Sequence, residues 1–172
     1  TGEWYGSIDG RYRYERQADA FATRWSQAVA VVAGVDPELA AALEGWAQPR
    51  LARLDRPSPT LVHGDYGVTN LLWTGSDVSS VLDWEYARFG DPREDWSKIA
   101  MGARFAEPNS FGDQAAVEAL RAGYLAGGGA SEALEPVSLY GAYYTALLAV
   151  VLDSAPRFRW LSELVEYGGP ID

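Results

Sequence analysis

The run His63-Gly64-Asp65-Tyr66-Gly67-Val68-Thr69-Asn70, followed by Val81-Leu82-Asp83-Trp84-Glu85, decides how this 172-residue chain is read. Thr60-Leu61-Val62 and Asn70-Leu71-Leu72-Trp73 are short apolar runs, Thr74-Gly75-Ser76-Asp77 has turn chemistry, and Val78 to Asp83 reads as a further strand. Asp65 and Asn70 therefore straddle a loop that leaves one strand and enters the next. A tight hairpin returns the following strand to that loop, so that Asp83 at its end can converge on Asn70. One neutral and one anionic oxygen suit Mg²⁺, which takes few protein ligands beside phosphate and water. Asp65 is then placed to accept a proton from a hydroxyl next to the metal. This is the chemistry of phosphoryl transfer, in which positioning and charge neutralisation supply most of the catalysis. Taken one at a time, Asp65 reads as a turn aspartate and Asn70 as a strand-edge hydrogen bonder. The spaced set favours function.

Around this segment the pattern is helical. Phe21, Trp25, Ala28, Val29 and Val32 recur at spacings of three and four over 18–33, and Gly34 stops the run. Asp36-Pro37-Glu38 combines an N-cap, a first-turn proline and an acid, and opens a second helix through Leu39, Leu43 and Trp46, bent at Pro49 and reaching Leu54. Residues 1–17 show no periodicity and read as a loop or short hairpin. Arg56-Pro57-Ser58-Pro59 is a breaker cluster, dividing a helical subdomain, 1–57, from a catalytic core with C-terminal helices, 58–172. Asp91-Pro92-Arg93-Glu94 has the spacing of a capping box, with Asp91 as the cap. Helices are expected over 92–105, 113–125, 132–152 and 156–165, with Gly127-Gly128-Gly129 as a turn. Trp25, Trp46, Tyr140, Tyr143 and Tyr144 fall at core spacing.

Composition narrows the function. Hydrophobic residues make up 48% and charged residues 22%, the balance of a globular chain, and 14 basic against 24 acidic residues leave a net charge of −10. That field disfavours nucleic acid and anionic lipid and favours a cationic small molecule. No cysteine is present, so disulfides and thiolate chemistry are excluded, and His63 is the single histidine. The stretch 137–152 is too short and too polar for a membrane span and reads as a buried core helix. The N-terminus shows no signal-peptide pattern, which gives a cytoplasmic expectation. The Gly-rich fingerprints that cradle phosphates are absent, and the only lysine, Lys98, lies on a predicted helix and does not match a strand-borne phosphate lysine.

His63-Gly64-Asp65 with Asn70, then Leu82-Asp83-Trp84-Glu85, then Gly90-Asp91-Pro92 with Asp95, resembles the aminoglycoside phosphotransferase and choline kinase family, relatives of the protein kinases. The resemblance is close over 60–100 and weaker on either side. It implies a fold that is α+β and mainly α: the C-terminal lobe of a kinase-like enzyme, with a small β-hairpin element carrying the catalytic loop and the N-terminal ATP-binding lobe missing from this chain. By the resemblance Asp65 is the catalytic base and His63 orients its loop. Asn70 and Asp83 hold Mg²⁺ on the phosphates of ATP or GTP, and Asp95 braces the loop, with Asp91 as structural support. Thr69 occupies a position often small or imidazole-bearing in the family. Asp153, Glu163, Glu166 and Asp172 are candidates for meeting a substrate's ammonium groups. The implied acceptor is a hydroxylated, cationic small molecule, aminoglycoside-type first, with choline, other amino alcohols, macrolides and sugars as alternatives. A non-catalytic binding fragment and a metal-assisted hydrolase are the readings from other classes. The chain alone is expected to be incomplete and inactive.

Overall fold

The computed structural model describes residues 2–54, 58–134 and 137–168. Two short strands, β1 (Tyr5–Ser7) and β2 (Arg13–Tyr14), form the hairpin that opens the chain. Helices α1 (Gln17–Ala33) and α2 (Pro37–Leu51) follow. Asp36 caps α2 as its position suggests, accepting a hydrogen bond from the Leu39 amide at 2.9 Å. The helix ends at Leu51, short of the expected Leu54. Next come β3 (Thr60–Val62), β4 (Leu71–Thr74), β5 (Asp77–Val81) and β6 (Arg88–Gly90). Helices α3 (Arg93–Arg104), α4 (Gln114–Ala126), α5 (Ser138–Val151) and α6 (Ala155–Tyr167) complete the described chain.

The strands make two antiparallel sheets: a four-stranded one in the order β2-β1-β6-β3, and the separate β4–β5 hairpin. The central strand β6 pairs with β1 on one side and β3 on the other, so the N-terminal hairpin is joined to the strand leading into His63. Below the sheets, α1, α2, α5 and α6 share one core. Phe21, Trp25, Leu43, Tyr140 and Leu161 are fully enclosed there, with Trp46 at its edge. Helix α5 is the apolar stretch expected to be internal, and its buried face meets α1, α3 and α6. Segments on both sides of residue 57 contribute to this sheet and this core. The breaker positions 55–57 themselves lie outside the described residues.

Three expectations need correction. The helix predicted over 132–152 begins at Ser138, and Ser131–Leu134 forms a separate 3₁₀ turn. Asp83 lies beyond β5, which ends at Val81, in a left-handed conformation at φ 60°. Asp91 is not the N-cap of α3, a place taken by Pro92. It accepts a hydrogen bond from the Arg93 amide at 3.0 Å, but it is also wholly buried, held by the Arg93 guanidinium at 2.6 Å and by the Tyr140 hydroxyl at 2.9 Å.

Glu94 does not close a capping box either. Its enclosed carboxylate faces Arg24 of α1 at 2.6 Å, Arg88 of β6 at 2.5 Å and the Gln17 amide at 2.7 Å. Burial pushes this carboxyl up, but the two guanidinium groups outweigh burial and hold it down at about 2. A carboxylate whose folded pKa lies below its unfolded value stabilises above the unfolded pKa, and that contribution fades as pH falls. Stability measured by chemical denaturation is therefore expected to decline below pH 4.5 toward pH 2. Glu94→Gln, which strands two buried guanidinium groups, should cost about 3 kcal/mol at neutral pH and flatten that decline.

Candidate active site

The loop between β3 and β4 is held from several sides. Gly64 has φ +84°, and a Cβ there would stand 2.6 Å from the Tyr86 carbonyl oxygen, so the position demands glycine. Asp95, in the first turn of α3, reaches under the loop. Its two carboxylate oxygens accept the backbone N–H groups of His63 and Gly64, each at 2.8 Å. Burial pushes the Asp95 carboxyl up, and these two amides oppose that rise.

His63 is buried, and both its ring nitrogens are engaged with backbone. Nδ1 accepts the Asp65 N–H at 3.2 Å, and Nε2 donates to the Leu82 carbonyl at 2.8 Å. This pattern selects the Nε2–H tautomer and ties the loop to the residue preceding Asp83. Trp84 and Tyr66 pack against the imidazole, and Tyr66 stacks on Phe111. His63 thus orients the loop, with no ring nitrogen left over for an acceptor.

Asp65, Asn70 and Asp83 are brought to one place by these constraints. Asn70 ends a 3₁₀ turn, Val68–Asn70, and its side-chain NH₂ donates to the Asp65 carbonyl at 2.9 Å and to Asp65 Oδ2 at 3.3 Å. The Asn70 backbone carbonyl accepts the Leu82 N–H at 2.8 Å, which ties the residue before Asp83 to Asn70. The Tyr86 hydroxyl is pushed above its ordinary value first by Glu85 and further by Asp65 and Asp83, so these carboxylates share its surroundings.

The donor set fits a phosphate-bound Mg²⁺. With its NH₂ turned to Asp65, Asn70 has an amide oxygen that accepts no hydrogen bond from the described residues. The exposed Asp83 carboxylate accepts no hydrogen bond from the described residues. Among the described residues no three His, Cys, Asp or Glu side chains form a cage for a metal. The arrangement instead offers two protein oxygens and leaves the other positions to phosphate and water.

One contact has no counterpart in the sequence reading. Lys98, one turn along α3 from Asp95, places Nζ 2.5 Å from Asp65 Oδ1. A lysine preceded by Asp and Glu on a helix reads as a surface charge, and only the spacing Asp95 to Lys98, i to i+3, hints that both face the loop. The acidic residues expected to meet substrate lie at the end of α5 and on α6. Asp153 follows α5 in a left-handed turn, and Glu163 and Glu166 lie exposed on α6, which packs on α2 and α5. No hydrogen bond or ion pair among the described residues links these three to Asp65. Asp172 lies outside the described residues.

Because both oxygens of Asp95 are used, Asp95→Asn turns an NH₂ group toward one of the two loop amides. Hydrogen exchange of the His63 and Gly64 amides is expected to accelerate about tenfold or more, with α1 and α5 unaffected.

Comparison with known proteins agrees with this geometry. The model of the phosphotransferase enzyme family, APH, matches residues 7–140. Viomycin phosphotransferase of Streptomyces vinaceus is 40% identical over 68 residues, covering 36% of this chain and 23% of that protein. The crystal structure of a thermostable mutant of aminoglycoside phosphotransferase APH(4)-Ia, in its apo form, superposes with a TM-score of 0.62 at 17% identity. That superposition covers 96% of this chain and 58% of the other. The chain therefore spans well under two thirds of the length of either relative. With the family model matched over more than half its length, across the loop, the hairpin and α3, this chain belongs to the phosphotransferase enzyme family.

Proposed function

We propose that this chain is the catalytic-loop portion, corresponding to a C-terminal lobe, of a kinase-like enzyme that transfers the γ-phosphoryl group of ATP or GTP to a hydroxyl of a cationic small molecule in the cytoplasm. The observation that carries the reading is the placement of Asp65, which is held by Asn70 and Lys98 on a loop braced by Asp95, with Asp83 alongside. Mg²⁺, when bound with nucleotide, would neutralise phosphate charge, and Asn70 and Asp83 are the residues to hold it. Asp65 accepts the acceptor's hydroxyl proton. His63 and Asp95 fix the loop and keep that carboxylate in register, so the cost of ordering it is met before the acceptor arrives. An aminoglycoside-type acceptor ranks first, supported by the names of the two relatives, one a viomycin and one an aminoglycoside phosphotransferase, and by the net charge of −10.

The test is nucleoside diphosphate release by the complete protein, screened against a panel of hydroxylated amines. Asp65→Asn should lower kcat about 100-fold or more, the scale of a lost general base, with nucleotide affinity little changed. Asp83→Ala should instead weaken Mg²⁺-dependent nucleotide binding, read by titration calorimetry. Full turnover in Asp65→Asn removes that residue from the role of base, and an unchanged Mg²⁺ titration in Asp83→Ala removes the metal assignment.

A further inference from the structure

Lys98 is the single lysine in a sequence that holds 13 arginines. The closely held ion pairs elsewhere use arginine: Arg24 and Arg88 on Glu94, Arg93 on Asp91, and Arg157 on Glu107. Arg24 and Arg88 each meet Glu94 through Oε2 and Arg157 meets Glu107 through Oε1, whereas Arg93 grips Asp91 by both oxygens. Arg93 Nε lies 3.0 Å from Oδ1 and 2.9 Å from Oδ2, and Nη2 lies 2.6 Å from Oδ2, so both oxygens are captured.

Asp65 is held differently. Lys98 Nζ meets Oδ1 alone at 2.5 Å and also approaches the Tyr66 carbonyl at 3.4 Å. Oδ2 has the longer, weaker contact with Asn70, at 3.3 Å. The lysine side chain is 12% exposed and that of Asp65 34%, so the cation is inside and the carboxylate opens outward. A compact ammonium makes a point contact where guanidinium makes a planar, two-pronged one.

Resting on the phosphoryl-transfer reading above, we infer that Lys98 is the positioning residue of the base, pinning Oδ1 of Asp65 so that Oδ2, which carries only the long contact with Asn70, takes the acceptor's proton. In the transfer step the acceptor O–H bond breaks and its proton passes to Oδ2. The acceptor oxygen bonds to the γ-phosphorus as the bond from that phosphorus to the bridging oxygen breaks, and nucleoside diphosphate leaves. Lys98 is unchanged throughout. Its contribution is to hold Asp65 in one orientation from a helix that also anchors the loop through Asp95. Lysine is required over arginine because the enclosed space beside Oδ1 holds a compact ammonium, and a larger planar guanidinium there would shift Asp65.

The deciding experiment compares Lys98→Met and Lys98→Arg in the complete protein, with kcat, nucleotide KM and melting temperature measured for each. Both variants are expected to lose about tenfold to 100-fold in kcat, the penalty of a misplaced reacting group, with nucleotide KM unchanged. A purely structural ion pair would be restored by arginine, so wild-type kcat in Lys98→Arg overturns the inference. Wild-type kcat in Lys98→Met does the same. If Lys98→Met fails to fold, Lys98→Arg, which keeps the buried charge, decides alone. Transfer that is lost in Asp65→Asn yet indifferent to Lys98 overturns this inference only, whereas no transfer by the unmodified protein overturns the phosphoryl-transfer reading with it.

Discussion

A carboxylate enclosed by protein must be met by opposite charge, and in this chain that requirement is concentrated at Glu94. Arg24 reaches it from α1, Arg88 from β6 and Gln17 from the start of α1. Two separate elements, α1 and β6, are thereby fixed to the first turn of α3. The neighbouring Asp91 adds α5 through Tyr140, whose hydroxyl also receives the Gln17 amide. The sheet, the helical core and α3 therefore share one polar junction, and a change at any member is felt by the others.

The loop between β3 and β4 inherits its order from that junction. Asp95 follows Glu94 directly and Lys98 lies one turn on, so the helix that is anchored by Glu94 carries both the brace of the loop and the partner of Asp65. On the opposite side His63 fastens the loop to Leu82, and Gly64 lets the backbone pass close to Tyr86. A loop gripped through backbone amides and a histidine ring holds its shape with little dependence on its exposed side chains. This agrees with Thr69 being an exposed position.

Much of this was legible in the sequence. Periodicity located α1 and α2, the Asp36-Pro37 start was unambiguous, and the spacing of Asp65, Asn70 and Asp83 announced the loop and hairpin. What escaped notice had physical reasons. Strand β6 is three residues long and contains arginine and glycine, with none of the alternation that marks a strand. Glu94 and Asp91 matched a capping pattern because local spacing is all that such a pattern tests. Their burial is set by Arg24, 70 positions away, and by Tyr140. Lys98 gives no sign of its contact with Asp65, which spans 33 residues and lies outside any local window of sequence.

The arrangement on α3 also bears on which changes of chain length this region can absorb. Each residue turns an α-helix by about 100°. Inserting or deleting one residue between Glu94 and Lys98 would swing the ammonium away from Asp65 while the buried carboxylate stayed in place. The same edit in the irregular stretch 106–112 beyond the helix would leave the register of α3 intact. Length variation among natural or engineered versions of this chain should therefore gather after α3 and avoid its first two turns.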